Sequence, residues 1–315
     1  MPEPTAAHYR TVGRELLLGR VVPLLGAGSN MCGRPEGLVW QHGRYLPSGA
    51  ELASYLASRF DYPPHELREL SRVSQYVAMM AGSGPLYEEL RQLFDADYPP
   101  SDLHRLLARM PSTIRQQPTR HYQLIVTTNY DDALERAFQE VDEEFDLVVY
   151  VADGENQGKF LHFAPAGDVH LIERPNEYRA LSLDRRTVIL KIHGAVDRAS
   201  ADRDSFVITE DHYIDYLTRT DISNLLPVTL AFKLRRSHFL FLGYGMRDWN
   251  LRVILHRIWG SQALTYRSWA IQLHPDPIEQ EFWGRRGVEI LHASLEDYVT
   301  ALAMHLEELS QSGGR

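Results

Sequence analysis

The tightest constraint on the fold is the stretch 21–33, VVPLLGAGSNMCG, an apolar run that stops abruptly at Gly26, Ala27 and Gly28. The run reads as a buried strand. Two glycines one residue apart let the backbone turn tightly beneath a bulky anion, and a helix after the turn aims its N-terminal amides at phosphate oxygens. The full G-x-G-x-x-G fingerprint is not met, because Met31 stands where the third glycine belongs. From these residues alone the turn is either a nucleotide loop or an ordinary strand-to-helix connection.

The rest of the chain narrows the choice. Residues 4–19 predict a helix stopped by Gly19, and 21–25 the first strand, with Pro23 placed at a gap or bulge in the ladder. Residues 33–47 are polar and turn-rich, and Ser48 with Glu51 has the form of a capping box opening a helix. From 61 to 118 the pattern is helical, with Leu67, Leu70 and Val73, then Tyr76, Val77 and Met80, at helical spacing. This predicts a small helical module inserted into an α/β core as one wall of a cleft.

Strands are predicted at 122–127, 145–151, 187–192, 205–209, 239–242, 268–273 and 288–291, and residues 159–173 supply either short strands or an irregular loop. Residues 211–235 read as mostly helical. Asp248 is placed as the N-cap of a helix carrying Leu251, Ile254, Leu255 and Ile258, residues 295–309 close the chain as an amphipathic helix, and 310–315 should fray. Alternating strands and helices predict a doubly wound, mostly parallel sheet, in which ligands bind beyond the carboxyl ends of the strands. Four of those ends carry unusual residues: GAG at 26–28, TNYD at 128–131, HG at 193–194 and GYG at 243–245. Their coincidence is the internal evidence for a site.

These stretches, in this order, resemble the bacterial sirtuin-like (silent information regulator-like) domains of antiphage defence systems. The matches are 25–35 (LGAGSNMCGRP), 127–132 (TTNYDD), 190–194 (LKIHG), 207–213 (VITEDHY) and 241–250 (FLGYGMRDWN). The resemblance runs from about residue 20 to 300 and implies a single Rossmann-like NAD-binding domain over 1–315 with the insertion at 61–118. It departs from the protein-deacylating sirtuins in three places. The four-cysteine zinc ribbon is absent, since Cys32 is the chain's one cysteine; the G-I-P-D-F-R stretch is replaced by 33–47; and Asn30 stands where those enzymes place a serine.

What the resemblance then implies is hydrolysis of NAD+ at the nicotinamide–ribose bond, with NAD as substrate and no metal. Asn129 and His193 are the catalytic pair. Gly26, Ala27, Gly28, Ser29, Asn30, Thr128, Asp131, Gly243, Tyr244 and Asp248 hold the dinucleotide. Read without it, Asn129 is the N-cap of the helix beginning near Asp131, and His193 a structural hydrogen-bonder. A neutral imidazole at a strand end suits a general base near neutral pH. Thr209, Glu210 and Tyr213 match a family stretch whose chemistry the residues do not reveal. Two other classes stay open: a non-catalytic NAD or ADP-ribose sensor, and a zinc-free deacylase or ADP-ribosyltransferase.

Composition sets the remaining expectations. A net charge of −9 argues against nucleic-acid or acidic-membrane binding, leaving 115–120 and 233–236 as small basic candidates. One cysteine fits a reducing compartment, no apolar run reaches the roughly 18–20 residues of a membrane span, and no secretory signal is evident; the expected place is the cytoplasm. An enzyme that depletes NAD needs gating. With no sensor domain recognised, the expected control is a homo-oligomer or a separately encoded partner, such as an ATPase or an Argonaute-like protein.

Overall fold

The structure, a computed structural model, describes the chain except residues 1, 36, 119, 219–224, 247–251, 253–254, 256–265 and 313–315. It is a doubly wound α/β fold. Nine strands form one sheet in the order β11-β10-β9-β1-β2-β6-β3-β4-β5. The seven from β11 to β3 are parallel, and β4 and β5 are an antiparallel hairpin added at one edge. Their ranges are β1 Val21–Leu25, β2 Leu124–Thr127, β3 Phe145–Tyr150, β4 Phe160–Phe163, β5 Val169–Ile172, β6 Thr187–Lys191, β9 His238–Leu242, β10 Ser268–Gln272 and β11 Val288–His292. A separate two-stranded ladder pairs β7 (Gly194–Ala195) with β8 (Ser205–Phe206).

The central strands are buried along their length and mostly apolar because both of their faces are covered. Val22 and Leu24 join one core with Val188, Leu190, Phe239 and Phe241. That core is covered by α7 (Glu210–Thr218), α8 (Val228–Arg235) and α9 (Pro277–Gly284). Val21 and Leu25 join the opposite core, beneath α1 (Ala6–Leu17), α5 (Asp102–Ile114), α6 (Ala133–Glu140) and α10 (Leu295–Ser312). Pro23 sits in register with Leu240 of β9, while pairing with β2 begins only at Leu24, so its missing N–H falls where the second ladder has not yet started.

The expected helical insertion divides in two. Its helices α3 (Leu70–Met80) and α4 (Ser83–Phe94) join α2 (Gly49–Arg59), which precedes the insertion, in a third core with Tyr130, Ala133, Val196 and Phe206, against the loops that leave β2 and β6. Helix α5 packs instead on the sheet. Two residues assigned to the apolar helical stripe lie outside: Leu67 is 65% exposed ahead of α3, and Met80 is 71% exposed at its end. Helix α9 was not expected at all. Helix α10 continues through residues 310–312, which were expected to fray. The basic stretches are partly consumed by internal contacts: Arg115 pairs with Glu143, and Lys233 donates to the Gly19 carbonyl.

Among the described residues no helix is long and apolar enough to cross a membrane. Most of the helix expected after Asp248 lies outside the described residues; of its span, Arg252 sits 4.3 Å over the Phe282 ring and Leu255 is buried.

Candidate functional site

The sheet order places the site. The four strands whose ends carry the unusual residues, β9, β1, β2 and β6, are neighbours in that order at its middle. From β1 the chain moves to β2 on one side and later returns to β9 on the other, so the crevice between the β1 and β9 loops is a topological switch point. A cavity of about 700 Å³ opens there, within the range of small-molecule sites. Ala27, Gly28, Asn30, Thr128, Asn129, Asp131, His193, Gly243 and Tyr244 all line it. Gly26 and Ser29 lie beneath, Ser29 with no exposed surface, and Asp248 is outside the described residues.

After β1 the chain makes a short 3-10 turn, Ala27–Met31, rather than the expected helix. The amide of Gly26 donates to Leu242 O, that of Gly28 to Gly243 O and that of Ser29 to Gly26 O. A methyl on Gly28 would stand 2.7 Å from the Gly243 oxygen, and Gly243 has a φ of +74°. The glycines of 26–28 therefore serve first to interlock the β1 and β9 loops. The expectation that their amides cradle phosphate is corrected for Gly26, Gly28 and Ser29, whose N–H groups are already engaged. Gly245 is different: it lines the cavity, and a Cβ added there meets open space.

The β2 loop is tied on every side. Thr127 Oγ1 donates to Leu25 O at 3.2 Å and accepts from the Asn129 amide at 3.0 Å, and the Thr128 amide donates to Leu25 O. Asn129 is 8% exposed, and its Nδ2 donates to Gly26 O at 3.2 Å and Ser29 Oγ at 3.0 Å. A carbonyl can only accept, so the amide orientation is determined and Oδ1 is left as the acceptor without a protein partner among the described residues. Asn129 is not the helix cap. The cap position is Asp132, and the residue ahead of it, Asp131, receives the first helical amide, its Oδ1 taking the Ala133 amide at 3.0 Å while Oδ2 takes Asn30 Nδ2 at 2.8 Å. Asp131 thus anchors the loop. Asp132 stands at the cap position just ahead of the first turn, 2.7 Å from Arg198 and 3.2 Å from Arg136. Tyr244 reaches across the switch point, its hydroxyl 2.7 Å from Thr128 Oγ1.

His193 follows β6 and is 4% exposed, with Nε2 buried and without a hydrogen-bond partner among the described residues. Its ring lies edge-on to Tyr213 at 5.5 Å and Tyr216 at 5.9 Å. Burial among these rings lowers its pKa from the ordinary 6.5 to about 3, so the imidazole is neutral at physiological pH and weakly basic. Gly194 has a φ of +85° and stands against the Ser205 backbone with no room for a side chain; this explains the H-G pair.

Several lining residues were not among the site residues expected from the sequence. Ser48, Gly49, Ala50 and Leu52 come from the start of α2, Arg68 and Ser71 from the approach to α3, and Phe94 from α4. The capping box at Ser48 is present, and Arg34 grips the same Glu51 through both guanidinium nitrogens at 2.9 and 2.6 Å, pinning the turn-rich segment to α2. Tyr213 was quoted without a role. Thr209 Oγ1 accepts the His212 amide at 3.1 Å at the start of α7, which sets Tyr213 against His193 in the cavity wall. Among the described residues no three His, Cys, Asp or Glu side chains gather as a metal site.

A family model described as SIR2-like domain matches residues 123–291. Defense-associated sirtuin 2 of Bacillus subtilis is 24% identical over 233 residues, covering 72% of this chain and 19% of that protein. The NAD(+) hydrolase ThsA of Cytobacillus dafuensis is 24% identical over 190 residues, covering 60% of this chain and 30% of its own length. The chain therefore spans less than a third of either relative. A solved structure reported for the mechanism and regulation of Sir2 enzymes aligns over 98% of this chain and 100% of its own, with a TM-score of 0.43 and 9% identity.

Proposed function

This chain belongs to the SIR2-like domain family, and on that premise we propose that its central cavity binds NAD+ and cleaves the nicotinamide–ribose bond. The observation that carries this reading is the convergence of the four strand-end loops, with Asn129 and His193 both on the wall of one cavity at the switch point. The relative named as an NAD(+) hydrolase and the one named as a defence-associated sirtuin support the same reaction and a defence setting.

Cleavage passes through an oxocarbenium-like sugar. The C1′–N bond breaks and its electron pair returns to the pyridinium nitrogen, so nicotinamide leaves neutral and no acid is required. Water attacks C1′, loses a proton, and gives ADP-ribose. Asn129 Oδ1, the acceptor its own loop leaves free, takes a hydrogen bond from a ribose hydroxyl or the attacking water. His193, held neutral, accepts at a ring nitrogen from the same hydroxyls. Gly245 lets the backbone approach the adenosine half, with Tyr244 beside it. Because both Asn129 amide hydrogens are engaged and His193 is a weak base, a second reading is kept: a sensor that binds NAD or ADP-ribose without cleaving it. Gating by assembly with further copies or a separate subunit belongs to the proposal, since unchecked NAD loss would harm the cell.

The test is NAD+ turnover by purified protein, with nicotinamide and ADP-ribose resolved, for the wild type, Asn129→Ala and His193→Ala. Each substitution is expected to lower kcat by about 10²–10³. Wild-type binding of NAD+ without product would favour the sensor. No binding would end both readings.

A further inference from the structure

Lys191 is the last residue of β6, two before His193, on the strand face that carries Ile189, where alternation calls for another core side chain. It is 1% exposed. An ammonium in that position persists only if its charge is met. Lys191 Nζ donates to Glu135 Oε1 of α6 at 2.6 Å, and also to the backbone carbonyl of Asp131. Asp131 in turn holds Asn30 of the β1 loop through its carboxylate at 2.8 Å. One side chain from β6 thus reaches the backbone of the β2 loop, and through it the β1 loop.

We propose that Lys191 is a positioning residue: by donating to the Asp131 carbonyl it holds the 128–131 loop, and with it Asn129 and Asn30, in register with His193. The proposal rests on reading the cavity as an NAD site. An ion pair kept for stability alone can be exchanged for apolar side chains of similar volume with little loss. A donor aimed at a loop carbonyl cannot.

The experiment compares the full chain with Lys191→Met/Glu135→Leu, which removes both charges together, and with Glu135→Gln, which removes the ion pair but keeps the lysine donor. Three quantities are read: the urea midpoint, amide exchange in 128–131 against exchange in β1, and kcat and KM for NAD+. The double variant is expected to unfold near the wild-type midpoint, yet to exchange the 128–131 amides at least tenfold faster and to lose at least tenfold in kcat with a smaller change in KM. Glu135→Gln is expected to keep wild-type loop exchange even if its midpoint falls. The proposal is overturned if the double variant keeps wild-type loop protection, or if Glu135→Gln loosens the loop to the same degree. If the double variant does not fold, Glu135→Gln decides alone: loop exchange at the wild-type rate supports the proposal, and exchange at least tenfold faster overturns it. A wild type that leaves NAD+ untouched would remove the NAD reading alone, because the exchange data judge the lysine without turnover.

Discussion

At the scale of single residues, the site is made of polar groups that the core has half satisfied. Among the described residues, Asn30 and Asn129 each commit their amide nitrogen to the protein and leave Oδ1 unpaired, and His193 keeps a buried nitrogen without a partner. Buried polar atoms are normally paired, and on the proposed reading a bound dinucleotide completes the count at these positions. Burial also has a consequence for pH. His193 is lowered to about 3, and His8 and His104 to about 4, each mainly through desolvation. A histidine whose pKa is depressed on folding binds its proton more readily in the unfolded chain. Stability from these groups is therefore intact above about pH 6.5, the unfolded value, and is lost as the pH falls toward 3–4. Urea midpoints measured from pH 7.5 to 5 should fall, by at most about 1.4 kcal/mol per pH unit for each such histidine. His104→Gln should flatten the slope, and an unchanged slope would refute the assignment.

Among the elements, the two glycine loops differ from the reading that their sequences invite. Gly28 is required because the β9 loop lies against it, whereas Gly245 faces open space in the cavity. Substituting alanine separates the two roles. Gly28→Ala drives a methyl into backbone atoms that cannot yield and should cost about 1–3 kcal/mol in urea unfolding. Gly245→Ala should leave unfolding within about 0.5 kcal/mol of wild type, the range of substitutions away from packed features, and weaken NAD+ binding measured by calorimetry. Equal losses of stability would show that both glycines serve loop packing. The β2 loop shows a related displacement: the first amide of α6 goes to Asp131, not to Asn129, and the asparagine lines the cavity instead.

For the molecule as a whole, the cavity has two sources, the strand ends of the sheet and the third core built by α2, α3 and α4. A ligand that fills it should stabilise both. ADP-ribose at 100 times its dissociation constant should raise unfolding free energy by about 2.7 kcal/mol and slow amide exchange at 48–52 and 71 as well as at 128–131. Protection confined to the sheet loops would detach the helices from the site. The parallel sheet, the four marked strand ends and the capping box at Ser48 were legible in the sequence because each depends on local pattern: apolar runs, glycine punctuation and a three-residue spacing. The separation of α5 from α3 and α4 was not legible, since amphipathic helices look alike until a partner face is chosen. Nor was the part played by Lys191, which stands in an apolar strand and acquires meaning only when α6 and the β2 loop fold over it. The chain alone determined which side chains were available to the chemistry; the crossing from β1 to β2 and back to β9 decided which of them meet, because contacts between residues a hundred or more positions apart are written in topology rather than in spacing.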